Sequence, residues 1–101
     1  MPAAPLTPSE ISGRLEKLAG WTYEDDRLAR TYRLPSHVAA AALTMHVASI
    51  QQELNHHSDM TLGYSTVSLT VHSHDAGGKV TDKDFALAAR VEAVAPAHGA
   101  E

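Results

Sequence analysis

Four of the chain's seven histidines lie between positions 56 and 74, in two short clusters. The first reads Glu53-Leu54-Asn55-His56-His57-Ser58, and the second reads His72-Ser73-His74-Asp75. Histidine gives and takes protons near neutrality, so two such clusters meeting in a fold could form a proton-transfer site or a metal site. Glu53 stands one helical turn before the pair, where a carboxylate can orient an imidazole. Asp75 directly follows His74 and offers a second orienting carboxylate.

A metal is the weaker reading. Side chains of adjacent residues diverge, there is no HExxH pair, and there is no cysteine. Ser58, Ser65, Ser68 and Ser73 lack the glycine framing of a nucleophile elbow. General acid–base chemistry on a small organic molecule remains, without a covalent intermediate. Asp84 has a structural explanation as the third residue of a helix, where a carboxylate caps backbone N–H groups. His37, His46 and His98 read as helix-face or surface residues without a role.

The clusters need a scaffold to bring them together. Thr7-Pro8-Ser9-Glu10 is a capping box, and Ile11, Leu15 and Leu18 continue it as a helix that Gly20 stops. Residues 21–23 and 28–34 read as two antiparallel strands joined by an acidic turn, with Arg30 inward or at an edge. Ser36 caps a long helix over residues 37–54, in which Val38, Ala41, Ala42, Met45, Ala48, Ser49 and Gln52 form a stripe of mostly small residues. Such a stripe suits close approach to a sheet or to a partner helix. Asn55 ends that helix and leaves the histidine pair at its C-terminus.

Met60-Thr61-Leu62 forms a short strand. Residues 64–73 alternate cleanly, with Val67, Leu69 and Val71 on the buried side. A Gly-rich turn then leads to a second capping box, Thr81-Asp82-Lys83-Asp84, and a last helix burying Phe85, Ala88, Ala89 and Val91. The expected fold is α+β: a four-stranded antiparallel sheet with three helices on one face, in the order α-β-β-α-β-β-α. At 101 residues the chain is expected to be one domain, with a core over about 7–95 and frayed tails.

Composition narrows the function. A net charge of −4 with scattered lysines and arginines argues against direct nucleic-acid binding. No apolar run is long enough to span a membrane, and no signal peptide is visible, so a cytoplasmic location is expected. A small, alanine-rich chain gains from burying surface against a copy of itself.

The ordered set Glu53, His56-His57-Ser58, Tyr64, His74 and Asp84 resembles the pterin-4a-carbinolamine dehydratases, also known as dimerisation cofactors of a homeodomain transcription factor. Gly20-Trp21, His74-Asp75-Ala76-Gly77-Gly78 and Asp84-Phe85-Ala86-Leu87-Ala88 extend the resemblance over about residues 7–92. It implies a homodimer or homotetramer that dehydrates 4a-hydroxytetrahydropterin, made by aromatic amino-acid hydroxylases, to quinonoid dihydropterin, without a cofactor. It also implies that His56, His57 and His74 are catalytic; the sequence does not assign their roles, and the preferred reading is His57 as acid and His74 as base. Glu53 would orient them, and Asn55, Ser58, His72, Ser73 and Asp75 would border the pterin. Ser58 replaces the family's commonest proline, and Met60 stands near where many members carry an aromatic. The alternative the resemblance carries is a catalytically silent binding module, an assembly factor or transcriptional cofactor. A metal-dependent hydrolase is a third possibility.

Overall fold

The computed structural model describes residues 4–101. Helix α1 (Pro8–Leu15) opens as expected: Thr7 Oγ1 accepts from the Glu10 N–H at 3.2 Å, and Glu10 Oε1 accepts from the Thr7 N–H at 2.9 Å. It ends well short of Gly20. Ser12 and Gly13 are poor helix formers, and the chain continues in tight turns, with the Lys17 and Leu18 N–H groups bonded to the Arg14 and Leu15 carbonyls. Ile11 and Leu18 are nonetheless both buried.

Strand β1 (Thr22–Glu24) turns back into β2 (Arg27–Arg33) through Asp25 and Asp26. Both aspartates have left-handed backbones, φ 52° and 62°, the conformation a two-residue hairpin turn requires at both positions. β2 pairs with β4 (Thr66–Val71), and β4 pairs on its other side with β3 (Asp59–Leu62). The resulting antiparallel sheet has the order β1-β2-β4-β3. The period-two pattern puts Leu28 and Tyr32 of β2 on the same buried side as Val67, Leu69 and Val71.

Helices α2 (His37–Leu54) and α3 (Asp82–Val94) cover that side. The stripe of small residues on α2 does not face the sheet. Ala40, Leu43, Val47, Ile50 and Gln51 do, leaving Val38 and Met45 in solvent at 77% and 73% exposure. On α3, Leu87 joins Phe85, Ala88 and Val91 in the core, whereas Ala89 is exposed. The C-terminal residues are not frayed either. Ala95–His98 forms a 3-10 turn, and Glu101 exchanges two backbone hydrogen bonds with Arg33, at 2.9 and 3.1 Å.

Arg30 does take the inward position. Its guanidinium lies 4.1 Å from the centre of the Tyr32 ring, and its Nε is 3.8 Å from Glu92. Glu92 also accepts from Trp21 Nε1 at 2.9 Å and from the Tyr32 hydroxyl at 2.5 Å, tying α3 to the sheet. Burial first, and the Glu92 bond second, push the Tyr32 phenol above its ordinary range. Glu92→Ala strands both donors, so a loss of about 1–3 kcal/mol in urea unfolding is expected.

Candidate active site

Three chain segments converge beneath α2. The first is the end of α2 itself. Asn55 adopts a left-handed backbone, φ 51°, and its N–H returns to the helix carbonyls. Ser58 then anchors the turn: its N–H donates to Gln51 Oε1 at 2.8 Å, and its hydroxyl donates to the same oxygen. Gln51 is buried, so residues 55–58 are held against the helix rather than left loose.

The second segment follows β4. Ser73 bridges Lys79 across a tight loop, and the 3-10 turn His74–Ala76 sits between them. Gly77 and Gly78, with φ 69° and 80°, complete the reversal. A strand does not persist through His74, yet the His72 and His74 rings still meet edge to face, 4.6 Å between centres. His72 Nδ1 is buried without a partner.

The third is the start of α3. Thr81 caps the helix and Asp84 closes the capping box, as the sequence indicates. Asp84 does more than cap. It is 0% exposed, and its Oδ2 accepts from the Thr81 N–H at 2.8 Å and from the Ser73 hydroxyl at 2.9 Å. Its other oxygen, Oδ1, lies 2.6 Å from His56 Nε2. A carboxylate is an acceptor only, so Nε2 carries a proton, and in the singly protonated ring Nδ1 is the free nitrogen. The Thr81 hydroxyl is 2.8 Å from Ser73 Oγ. Because Ser73 gives its proton to Asp84, Thr81 must give its own to Ser73, and the chain of donors is complete.

Between these segments opens a cleft of about 280 Å³ lined by Asn55, His56, His57, His74, Asp75 and Lys83. His56 is 12% exposed at its side chain, while His57 and His74 stand open at the surface. Lys83 donates to Asp75 at 3.1 Å across the rim and holds its carboxyl below the ordinary value.

The two histidine clusters meet at one cleft, but not every candidate residue reaches it. Glu53 points away from the imidazoles and bonds Arg90, which keeps its carboxyl low. Orienting a ring falls to Asp84 instead. Ser73 is wholly buried behind Asp84 and offers no surface to a ligand. Ser58 is spent on Gln51, and His72 backs His74 rather than lining the cleft. Lys83 is the lining residue that motif reasoning missed, although it lies beside Asp84 in the helix's first turn.

A family model described as pterin 4 alpha carbinolamine dehydratase matches residues 4–94. The chain belongs to that family. Curated relatives named for pterin-4-alpha-carbinolamine dehydratase include one from Streptomyces coelicolor, 60% identical, and one from Streptomyces avermitilis, 59% identical. Each alignment covers 99% of this chain and 99% of the relative. Among solved structures, a transcriptional coactivator/pterin dehydratase from Brucella melitensis superposes with a TM-score of 0.85 at 27% identity. That match covers 90% of this chain and 98% of the other. A pterin dehydratase-like RuBisCO assembly factor of the alpha-carboxysome shares the fold at TM-score 0.61 and 22% identity, over 74% of this chain and 86% of its own. The dehydratase fold, an antiparallel four-stranded sheet with three helices, is thus the fold of this member too.

Proposed function

We propose that the protein dehydrates a 4a-hydroxytetrahydropterin to the quinonoid dihydropterin and water. The observation that carries this is the Asp84–His56 pair opening, with His57 and His74, onto one cleft. In the reaction the C4a–O bond breaks, the hydroxyl leaves as water with a proton from an acid, and the N5–H proton goes to a base. A C4a=N5 double bond forms. Nothing is oxidised or reduced, so the residues present suffice for the chemistry without a metal or redox cofactor.

His56 suits the base. Its Nδ1 is the free nitrogen, and a proton taken there makes an imidazolium that Asp84 stabilises from the other side. That moves the base from His74, the residue favoured by sequence, and leaves His57 as acid. His74, which the second segment brings to the same cleft, holds the departing hydroxyl in place. The substrate comes from an aromatic amino-acid hydroxylase, and the test is direct dehydration of 4a-hydroxytetrahydropterin by the purified protein.

A homo-oligomer is part of the same proposal. Tyr64, 84% exposed, stacks on His37 next to Val38, and Met45 stands two turns along the same face of α2. Exposed apolar side chains grouped in this way mark an interaction surface. Light scattering at micromolar concentration is expected to give a multiple of the chain mass, and Val38→Asp with Met45→Glu is expected to give the monomer. A monomeric parent protein would remove oligomerisation from the proposal.

A further inference from the structure

His72 is the histidine of the second cluster with no part in the proton transfers. It lies just past β4, half-buried, and its ring meets that of His74 edge to face, 4.6 Å between centres and 63° between planes. Its Nδ1 is buried and bonds nothing. Gly78 lies against the same nitrogen, and a Cβ there would stand 3.7 Å from it. A buried nitrogen without a partner costs free energy that an aliphatic side chain avoids. Filling space therefore does not account for His72. What an imidazole offers at this position is a small flat ring.

His74 needs such a neighbour. Its backbone is held on both sides: the Ser73 N–H donates to the Lys79 carbonyl at 2.9 Å, and the Gly77 N–H donates to the His74 carbonyl at 3.2 Å. The Ser73 side chain is tied to Asp84 and Thr81. The His74 side chain, by contrast, is exposed and makes no hydrogen bond to the described residues. Its aromatic contact with His72 is what distinguishes one rotamer from the others, since such pairs favour an edge-to-face arrangement. A ring free to change rotamer would face the leaving hydroxyl for only part of the time.

We infer that His72 is the positioning residue for His74, its ring holding the His74 imidazole toward the cleft where the hydroxyl departs. This rests on the dehydratase reading of the cleft. His72 is absent from the cleft lining, so it acts through His74 and touches no substrate.

Kinetics on 4a-hydroxytetrahydropterin are compared for the parent, His72→Ala, His72→Phe, His74→Ala and the double variant His72→Ala with His74→Ala. His72→Ala is expected to lose about ten-fold in kcat with KM within about three-fold, the signature of a misplaced group. His72→Phe keeps a ring face and discards both nitrogens, and is expected to recover most of that loss. The double variant is expected to be no slower than His74→Ala alone, because His72 has no effect once His74 is gone. Losses that multiply in the double variant overturn the inference, as does a folded His72→Phe that is as slow as His72→Ala. Should His72→Phe fail to fold by circular dichroism, the double variant still decides. Proton NMR reads the contact without turnover, since the His74 ring signals carry the ring-current shift of His72. Signals that move in His72→Ala support the positioning contact even if no dehydration is seen in the parent. Signals that stay in place overturn it and leave the dehydratase reading standing.

Discussion

Asp84→Asn is expected to lower the dehydration rate about 10²-fold or more, the scale of losing a correctly oriented base. The amide can still accept from Ser73 and the Thr81 N–H through its oxygen, so the loop and helix cap keep their bonds. What changes is the face turned to His56. An NH2 group now meets Nε2, the ring must accept there, and the remaining proton moves to Nδ1, the nitrogen proposed as the base. The base is lost by a change of tautomer, while KM stays within about three-fold because Asp84 touches no substrate. Asp84→Ala is expected to be a different kind of variant. It removes the acceptor of three hydrogen bonds and leaves buried donors unsatisfied, at a cost of about 1–3 kcal/mol of unfolding free energy for each fully buried one. Urea unfolding alongside stopped-flow kinetics distinguishes the two, and an Asp84→Asn protein with full activity would show that His56 does not act through Nδ1.

His57→Ala is expected to cost about 10²–10⁴ in kcat, the span for a positioned general acid, with the fold and oligomer intact. The side chain stands open to the cleft and makes no hydrogen bond to the rest of the described residues, so truncation removes chemistry and almost no packing. His74→Ala is expected to reduce the rate by about 10²-fold, as the loss of a positioning contact on the leaving hydroxyl. In both variants circular dichroism should match the parent. If either unfolds, the histidines are part of the scaffold and the division of roles fails.

Much of this architecture was legible residue by residue. Thr7 and Thr81, each followed three positions later by an acid, marked helix starts because capping is a local bond between neighbours in sequence. Val67, Leu69 and Val71 marked a strand because its two faces differ. The orientation of α2 was not legible: Ala41, Ala42 and Ala48 are as apolar as Ala40, so the helix is hydrophobic nearly all round and periodicity cannot choose a side. The C-terminal pairing of Glu101 with Arg33 uses backbone groups alone and leaves no side-chain signature. Asp84 shows the limit most clearly. Capping accounts for one carboxylate oxygen, and only the fold reveals that the other points at His56, 28 residues earlier in the chain. Glu53 misled for the converse reason, since helical spacing placed it near the histidines while Arg90 on α3 drew it away.

The proposed dehydration of a 4a-hydroxypterin at His56, His57 and His74 uses the chain's own imidazoles. Its most direct test is stopped-flow observation of 4a-hydroxytetrahydropterin generated in situ, with and without the purified protein, in the presence of a strong chelator. The expected result is a large acceleration over the spontaneous reaction, unchanged by the chelator and cut about 10²-fold or more in His57→Ala. The claim would be contradicted by a parent protein that leaves the spontaneous rate untouched, or by activity that the chelator removes and zinc restores.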